Sequence, residues 1–267
     1  MSRITQKLRD RSHRGFIPFV TAGDPDLDTS LSIILKLAEM GADVIELGVP
    51  FSDPMADGPT IQRSSQRALE NGASLIDVLQ LATEFRKQSD IPLVLFSYFN
   101  PIMCFGIDKF CDAAALAGID GLLLTDVIEN EAGKISNRLA QNNIDLISLV
   151  APTTTDQRLK TICDNARGFI YVVSRAGVTG AQETTSSAAE TLVARARQFT
   201  DLPIAVGFGI STAEQIADVW RFADAAVVGS ALVSEIEKAD SPAHAVLRVE
   251  TFIGQLLPQV AKNGAEN

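Results

Sequence analysis

Histidine, cysteine and basic charge are all in short supply in this chain, and each shortage removes a class of function. Only two histidines occur in 267 residues. His13 and His244 lie near opposite ends with no Cys or His partner at ligand spacing, so no metal site is expected. Ser52, Ser97 and Ser230 have no histidine in a motif around them, which leaves a hydrolase triad without support. Three cysteines, Cys104, Cys111 and Cys163, are an odd number with no CxxC pairing. They read as reduced and mostly buried. Lys and Arg total 23 against 33 Asp and Glu, a net charge of −10. That balance argues against nucleic acid and anionic membrane as partners. It also means that an anionic substrate must be held by local donors. No apolar run nears the roughly 18 residues of a membrane span. The opening MSRITQKLRDRSHRG is charged and lacks signal-peptide character, so a cytoplasmic protein is expected. The single tryptophan, Trp220, falls on a helical pattern and reads as packing.

What is present is an alternation. Short apolar runs at 16–20, 44–47, 92–96, 121–124, 144–150, 168–173, 203–206 and 225–228 are each followed by a helical pattern. A short amphipathic helix over 3–10 precedes them, with Ile4 and Leu8 facing inward. Asp26 or Asp28 caps the helix ending at Gly41, Ser74 caps the next, and Asp108 starts the helix ending at Gly118. A helix runs over roughly 130–141, TTTD at 153–156 opens another, and 187–199 is helical. Ser211 with Glu214 forms a capping box, and Ser241-Pro242 opens the last helix. Near-continuous apolar strands imply a sheet covered on both faces. Count and spacing predict an α/β chain, a (β/α)8 TIM barrel with an extra N-terminal helix, as a single domain over 1–267. A doubly wound open sheet is the alternative. No linker, low-complexity tract or composition shift divides the chain.

The stretch Glu46–Gln62, ELGVPFSDPMADGPTIQ, carries the chemistry. A carboxylate inside an aliphatic strand is costly to bury unless paired or used. The loop beyond it has three prolines, two glycines and two further acids, Asp53 and Asp57. Singly, Glu46 could be a satisfied structural acid and the aspartates could cap a turn. Together at the carboxyl end of one strand they suggest an active site. Late in the chain, Val206-Gly207-Phe208-Gly209-Ile210-Ser211 is a weak dinucleotide fingerprint but a good phosphate cradle, since a helix N-terminus follows. Val228-Gly229-Ser230-Ala231 repeats the pattern after the eighth strand. Neither holds Lys or Arg, so amide dipoles would bind the anion. The small, polar segment Ser174–Ser186 reads as a lid, with Arg175 placed to meet the acids of the second loop.

The chain resembles the tryptophan synthase α-subunit family. The carriers are FVTAGDP at 19–25, GADVIELGVPFSDPMADGPTIQ at 41–62, SYFNPI at 97–102, YVVSRAGVTG at 171–180, GFGIST at 207–212 and VVGSALV at 227–233. The resemblance implies a TIM barrel that cleaves indole-3-glycerol phosphate to indole and glyceraldehyde 3-phosphate. It implies Glu46 and Asp57 as catalytic residues, Glu46 moving protons and Asp57 stabilising charge on the ring nitrogen. Phe19, Tyr98, Tyr171 and Phe208 would line the substrate pocket, Gly180, Gly209, Gly229 and Ser230 would cradle the phosphate, and Thr179 would close onto Asp57. No metal or organic cofactor is implied in this chain. The implied partner is a β subunit carrying pyridoxal phosphate, in an α2β2 heterotetramer, facing Pro50, Asp53 and the segment at Asn100-Pro101. One departure stands out: after Asp126 the chain has Val127-Ile128 where the family has Leu-Pro. The same motifs also admit a barrel that binds phosphate and activates the β subunit without cleaving, or a stand-alone indole-releasing lyase.

Overall fold

The computed structural model describes residues 1–9, 13–127, 129–173, 185–207 and 209–257. Eight parallel strands, β1 Gly15–Thr21, β2 Ile45–Gly48, β3 Leu93–Ser97, β4 Gly121–Leu124, β5 Asp145–Val150, β6 Ile170–Val173, β7 Ile204–Gly207 and β8 Ala225–Val228, close into a barrel in chain order. The open-sheet alternative is excluded because β1 pairs with β8, in register from Gly15↔Ala225 to Pro18↔Val228. The helices are α1 Arg3–Leu8, α2 Leu27–Glu39, α3 Pro59–Glu70, α4 Leu75–Arg86, α5 Phe99–Phe105, α6 Ile107–Leu116, α7 Glu129–Gln141, α8 Asp156–Asn165, α9 Thr185–Ala196, α10 Ala213–Trp220, α11 Ser230–Glu237 and α12 Pro242–Leu256.

Alternation along each strand builds two cores. Ile45, Leu47, Leu93, Leu95, Leu122 and Leu146 pack with the helices. Ile17, Val44, Val94, Leu123, Ile147 and Phe169 form a separate cluster inside the barrel, and Ile4 and Leu8 of α1 join it. The N-terminal helix therefore closes the amino end.

Four buried or half-buried aspartates ring that end. Asp43, Asp120 and Asp224 each accept the amide of the neighbouring strand, from Phe16 at 2.8 Å, Leu93 at 2.9 Å and Ile204 at 2.8 Å. Each also has basic partners: Lys7 and the His13 ring at Asp43, Arg86 and Arg3 at Asp120, Arg14 and Arg197 at Asp224. Asp145, the fourth, lies 3.7 Å from Arg167. Burial raises the carboxyl pKa of Asp120 and Asp145, against the pull of these partners.

Local details refine the sequence expectations. Asp26, not Asp28, caps α2, accepting from Thr29 N at 2.7 Å. The capping box of α10 is one residue later than expected, on Thr212 and Gln215 instead of Ser211 and Glu214. α6 begins at Ile107 behind Gly106, whose φ of 91° suits a residue without Cβ, so Asp108 lies in the first turn. α5 was not anticipated. Cys111 and Cys163 are buried and Cys104 is exposed. Trp220 packs on the barrel wall and donates to Gly15 O at 2.9 Å.

Candidate active site

Glu46 reaches the barrel interior because its neighbours do not. Ile45 and Leu47 face the helices, so the strand's two-residue period turns Glu46 inward. It is 1% exposed, and neither carboxyl oxygen has a hydrogen-bond partner among the described residues. Burial with no compensating partner lifts its pKa to about 8, so the acid holds its proton at neutral pH.

Asp57 comes from the loop after β2. A turn bonds its amide to Pro54 O at 3.1 Å, and Gln62 donates to its carbonyl at 2.9 Å. Gly58 and Pro59 then open α3, the proline filling a position whose amide needs no partner. Burial raises the Asp57 carboxyl to about 6, opposed by a hydrogen bond from the Tyr98 hydroxyl at 3.1 Å.

Both acids line one cavity of about 310 Å³ at the carboxyl end of the strands, together with Phe19, Tyr171, Gly209, Gly229 and Ser230. Phe96, Ile61, Ile210 and Val227 complete its apolar wall. Sequence reasoning did not single these out. Phe96 was legible only through alternation from Val94 on β3, and it meets Phe19 edge to face at 5.4 Å. Tyr98 is not among the lining residues; it lies behind Asp57. Thr179, Gly180, Phe208, Arg175 and the segment 174–184 lie outside the described residues. A cavity of similar volume lies outside the barrel wall, against β4, β5 and α8, and holds neither Glu46 nor Asp57.

The two late turns line the same cavity as the acids, Gly209 after β7 and Gly229 after β8. Gly209 has φ 79°, and Gly229 is the N-cap of α11 with Ser230 as its first residue. No Lys or Arg lines the cavity among the described residues, so an anion there would be held by amides and the Ser230 hydroxyl. Ion pairs brace the supports: Arg67 of α3 binds Asp24 at 2.8 Å and Glu237 of α11 at 2.8 Å, and Arg63 joins Glu237. The helix that follows Asp57 is thereby tied to the helix that begins at Ser230. Gly207 is fixed by crowding, since a Cβ there would lie 2.2 Å from the Tyr171 hydroxyl. Of the residues expected at a partner surface, Asp53 and Asn100 are exposed and Pro50 is buried. Among the described residues no cluster of His, Cys, Asp and Glu could hold a metal.

A protonated carboxyl and an ionisable one across an apolar slot, with an amide cradle at one end, can protonate a flat apolar ring, accept a proton back and stabilise positive charge, on a substrate anchored by phosphate. The sequence profile of the family described as tryptophan synthase alpha chain matches residues 5–261. The tryptophan synthase alpha chain of Acidiphilium cryptum is 48% identical over 240 residues, 88% of this chain and 87% of that one. That of Shouchella clausii is 42% identical over 264 residues, 95% and 98% of the two chains. The crystal structure of tryptophan synthase subunit alpha from Legionella pneumophila superposes with a TM-score of 0.88 at 35% identity, covering 98% of this chain and 99% of that one.

Proposed function

As the chain belongs to the tryptophan synthase alpha chain family, we propose that its barrel cleaves indole-3-glycerol phosphate to indole and glyceraldehyde 3-phosphate, the α reaction of tryptophan biosynthesis, with Glu46 as acid and base and Asp57 as charge stabiliser. The observation that carries the assignment is the unpaired, buried Glu46, which faces the same cavity as Asp57 and the two glycine turns.

The cleavage is a retro-aldol step. Glu46, protonated at neutral pH, donates to the ring carbon that bears the side chain. The ring becomes a cationic indolenine whose charge centres on nitrogen, where the Asp57 carboxylate offsets it. The Glu46 carboxylate then accepts the side-chain hydroxyl proton as the carbon–carbon bond breaks. Its electron pair returns to the ring, indole and the aldehyde form, and the acid regains its proton. A pKa near the working pH suits a group that must act in both directions. Phe19, Phe96 and Tyr171 enclose the ring, while Gly209, Gly229 and Ser230 hold the phosphate. Binding energy remote from the reacting bond then fixes its orientation.

Indole passes to a β subunit, which carries the pyridoxal phosphate, in an α2β2 assembly in the cytoplasm. Support for a docking face is the outcrop of Met55, 91% exposed, and Met103, 54% exposed, beside Asp53 and Asn100. Among the described residues no helix is long and apolar enough to cross a membrane. The test is indole release from indole-3-glycerol phosphate by the chain alone and with a β subunit. Release that accelerates on adding the β subunit is expected. Binding with no release in either case would leave a non-cleaving barrel, and release indifferent to the β subunit would leave a stand-alone lyase.

A further inference from the structure

Tyr98 is buried, 6% exposed, yet its hydroxyl is not spent on the substrate cavity. A phenol has one proton to give. The Tyr98 oxygen takes the Ala56 amide proton at 2.8 Å, and its own proton goes to Asp57 Oδ2 at 3.1 Å. Asp57 Oδ1 accepts nothing from the described residues, and Asp57 lines the cavity. One oxygen is anchored and the other is presented.

The anchor is itself held on three sides. The ring of Phe51, in the same loop as Asp57, stacks on Tyr98 with centroids 5.1 Å apart. The Ser97 hydroxyl donates to Tyr98 O at 2.9 Å. Tyr98 is the N-cap residue of α5, and the next amide, Phe99 N, donates to Asp126 Oδ1 at 2.7 Å. Thr125 N, beside Asp126, donates to Ser97 O at 3.2 Å. The loops after β2, β3 and β4 are thus linked in series, with the phenol as the piece that reaches the acid. An unsupported loop carboxylate would lose rotamer freedom each time it met a cation; this one is already placed.

We propose that Tyr98 is a positioning residue for the cleavage: it fixes Asp57 Oδ2 so that Oδ1 faces the ring nitrogen, and Asp126 fixes Tyr98 through the first turn of α5. This rests on the retro-aldol reading of the site. The hydroxyl also favours the ionised form of Asp57, opposing the burial that raises it. Among the described residues the other ionisable groups near Asp57 are Glu46 of β2 and Tyr171 of β6 in the shared cavity, and Asp53 in its own loop. Arg63 and Arg67 of α3 are committed to Glu237 and Asp24.

The test is Tyr98→Phe, which keeps the ring and its stacking on Phe51. Indole release is followed from pH 5 to 9, and the Asp57 carboxyl is titrated by 13C NMR in the substrate-free chain, its signal assigned by its loss in Asp57→Asn. We expect kcat/KM to fall about tenfold at neutral pH. The acidic limb should move up by about half a pH unit or more while the alkaline limb, set by Glu46, stays in place. The NMR midpoint should rise by the same amount. An unmoved midpoint and acidic limb overturn the proposal, even if the rate falls. If the wild-type chain releases no indole, the retro-aldol reading fails, while the NMR midpoint still decides whether Tyr98 governs Asp57.

Discussion

The two ends of the barrel treat buried acids in opposite ways. At the amino end Asp43, Asp120, Asp145 and Asp224 each have a Lys or Arg within 4.0 Å, and three of them also take a strand amide. At the carboxyl end Glu46 has no partner among the described residues, and Asp57 has one phenol. The first arrangement opposes the desolvation of the carboxylates, although burial still raises Asp120 and Asp145, and it ties three of the four to a neighbouring strand. The second leaves the desolvation of Glu46 uncompensated and that of Asp57 only partly so, which raises Glu46 to about 8 and Asp57 to about 6. Stability is concentrated at one end, and proton affinity tuned to neutral pH at the other.

The largest test of that contrast is Glu46→Gln. Removing the acid and base should lower indole release by about 10²–10⁴-fold with the far-ultraviolet circular dichroism unchanged. Comparable turnover by the variant would end the assignment. The matching change at the other end, Asp120→Ala, strands Arg86 and the Leu93 amide. It should destabilise the fold by about 3 kcal/mol in denaturant titrations while leaving KM and the pH profile of the folded enzyme as they were. A changed pH profile would mean that the two ends are not separate.

The third test reads stability against pH. The folded-state pKa of Glu46, about 8, lies above its unfolded value near 4.5. Between those values the folded chain keeps a proton that the unfolded chain has released. This group therefore lowers wild-type stability as pH rises through that window and adds nothing further above it. Glu46→Gln should be more stable than wild type by about 2–3 kcal/mol at pH 7, with the advantage vanishing towards pH 4.5. Equal stabilities at pH 8 would show that the carboxylate is solvated. The smallest effect belongs to Lys7→Met. Lys7 is half-exposed and 3.7 Å from Asp43, which keeps His13, so the change should stay within about 0.5 kcal/mol.

The barrel was legible because each strand is a short apolar run between turn signals, and that pattern survives without knowledge of contacts. The acids of the second loop and the glycine turns were legible for a similar reason: unusual residues stood out against their neighbours. Two kinds of feature were not. Ser211…Glu214 and Thr212…Gln215 are overlapping capping patterns, and only the backbone chooses between them; here Ser211 N instead donates to Gln215 Oε1 at 2.7 Å. Tyr98 looks like one more pocket aromatic in sequence. Its bond to Asp57 depends on β2 and β3 being neighbours, in register from Ile45↔Leu93 to Gly48↔Phe96. The helix α5 was hidden because Tyr98-Phe99-Asn100-Pro101 reads as a turn, whereas Pro101 falls in the first turn of that helix, where a missing amide does no harm.

The helix that closes the amino end has a kinetic meaning as well. Ile4 and Leu8 cap a column of side chains that fills the interior below Glu46, which closes the amino end among the described residues. Reactant and both fragments would then share the rim at the carboxyl ends of the strands, where the cavity lies. The order in which the fragments depart would be set at that rim and not at the amino end.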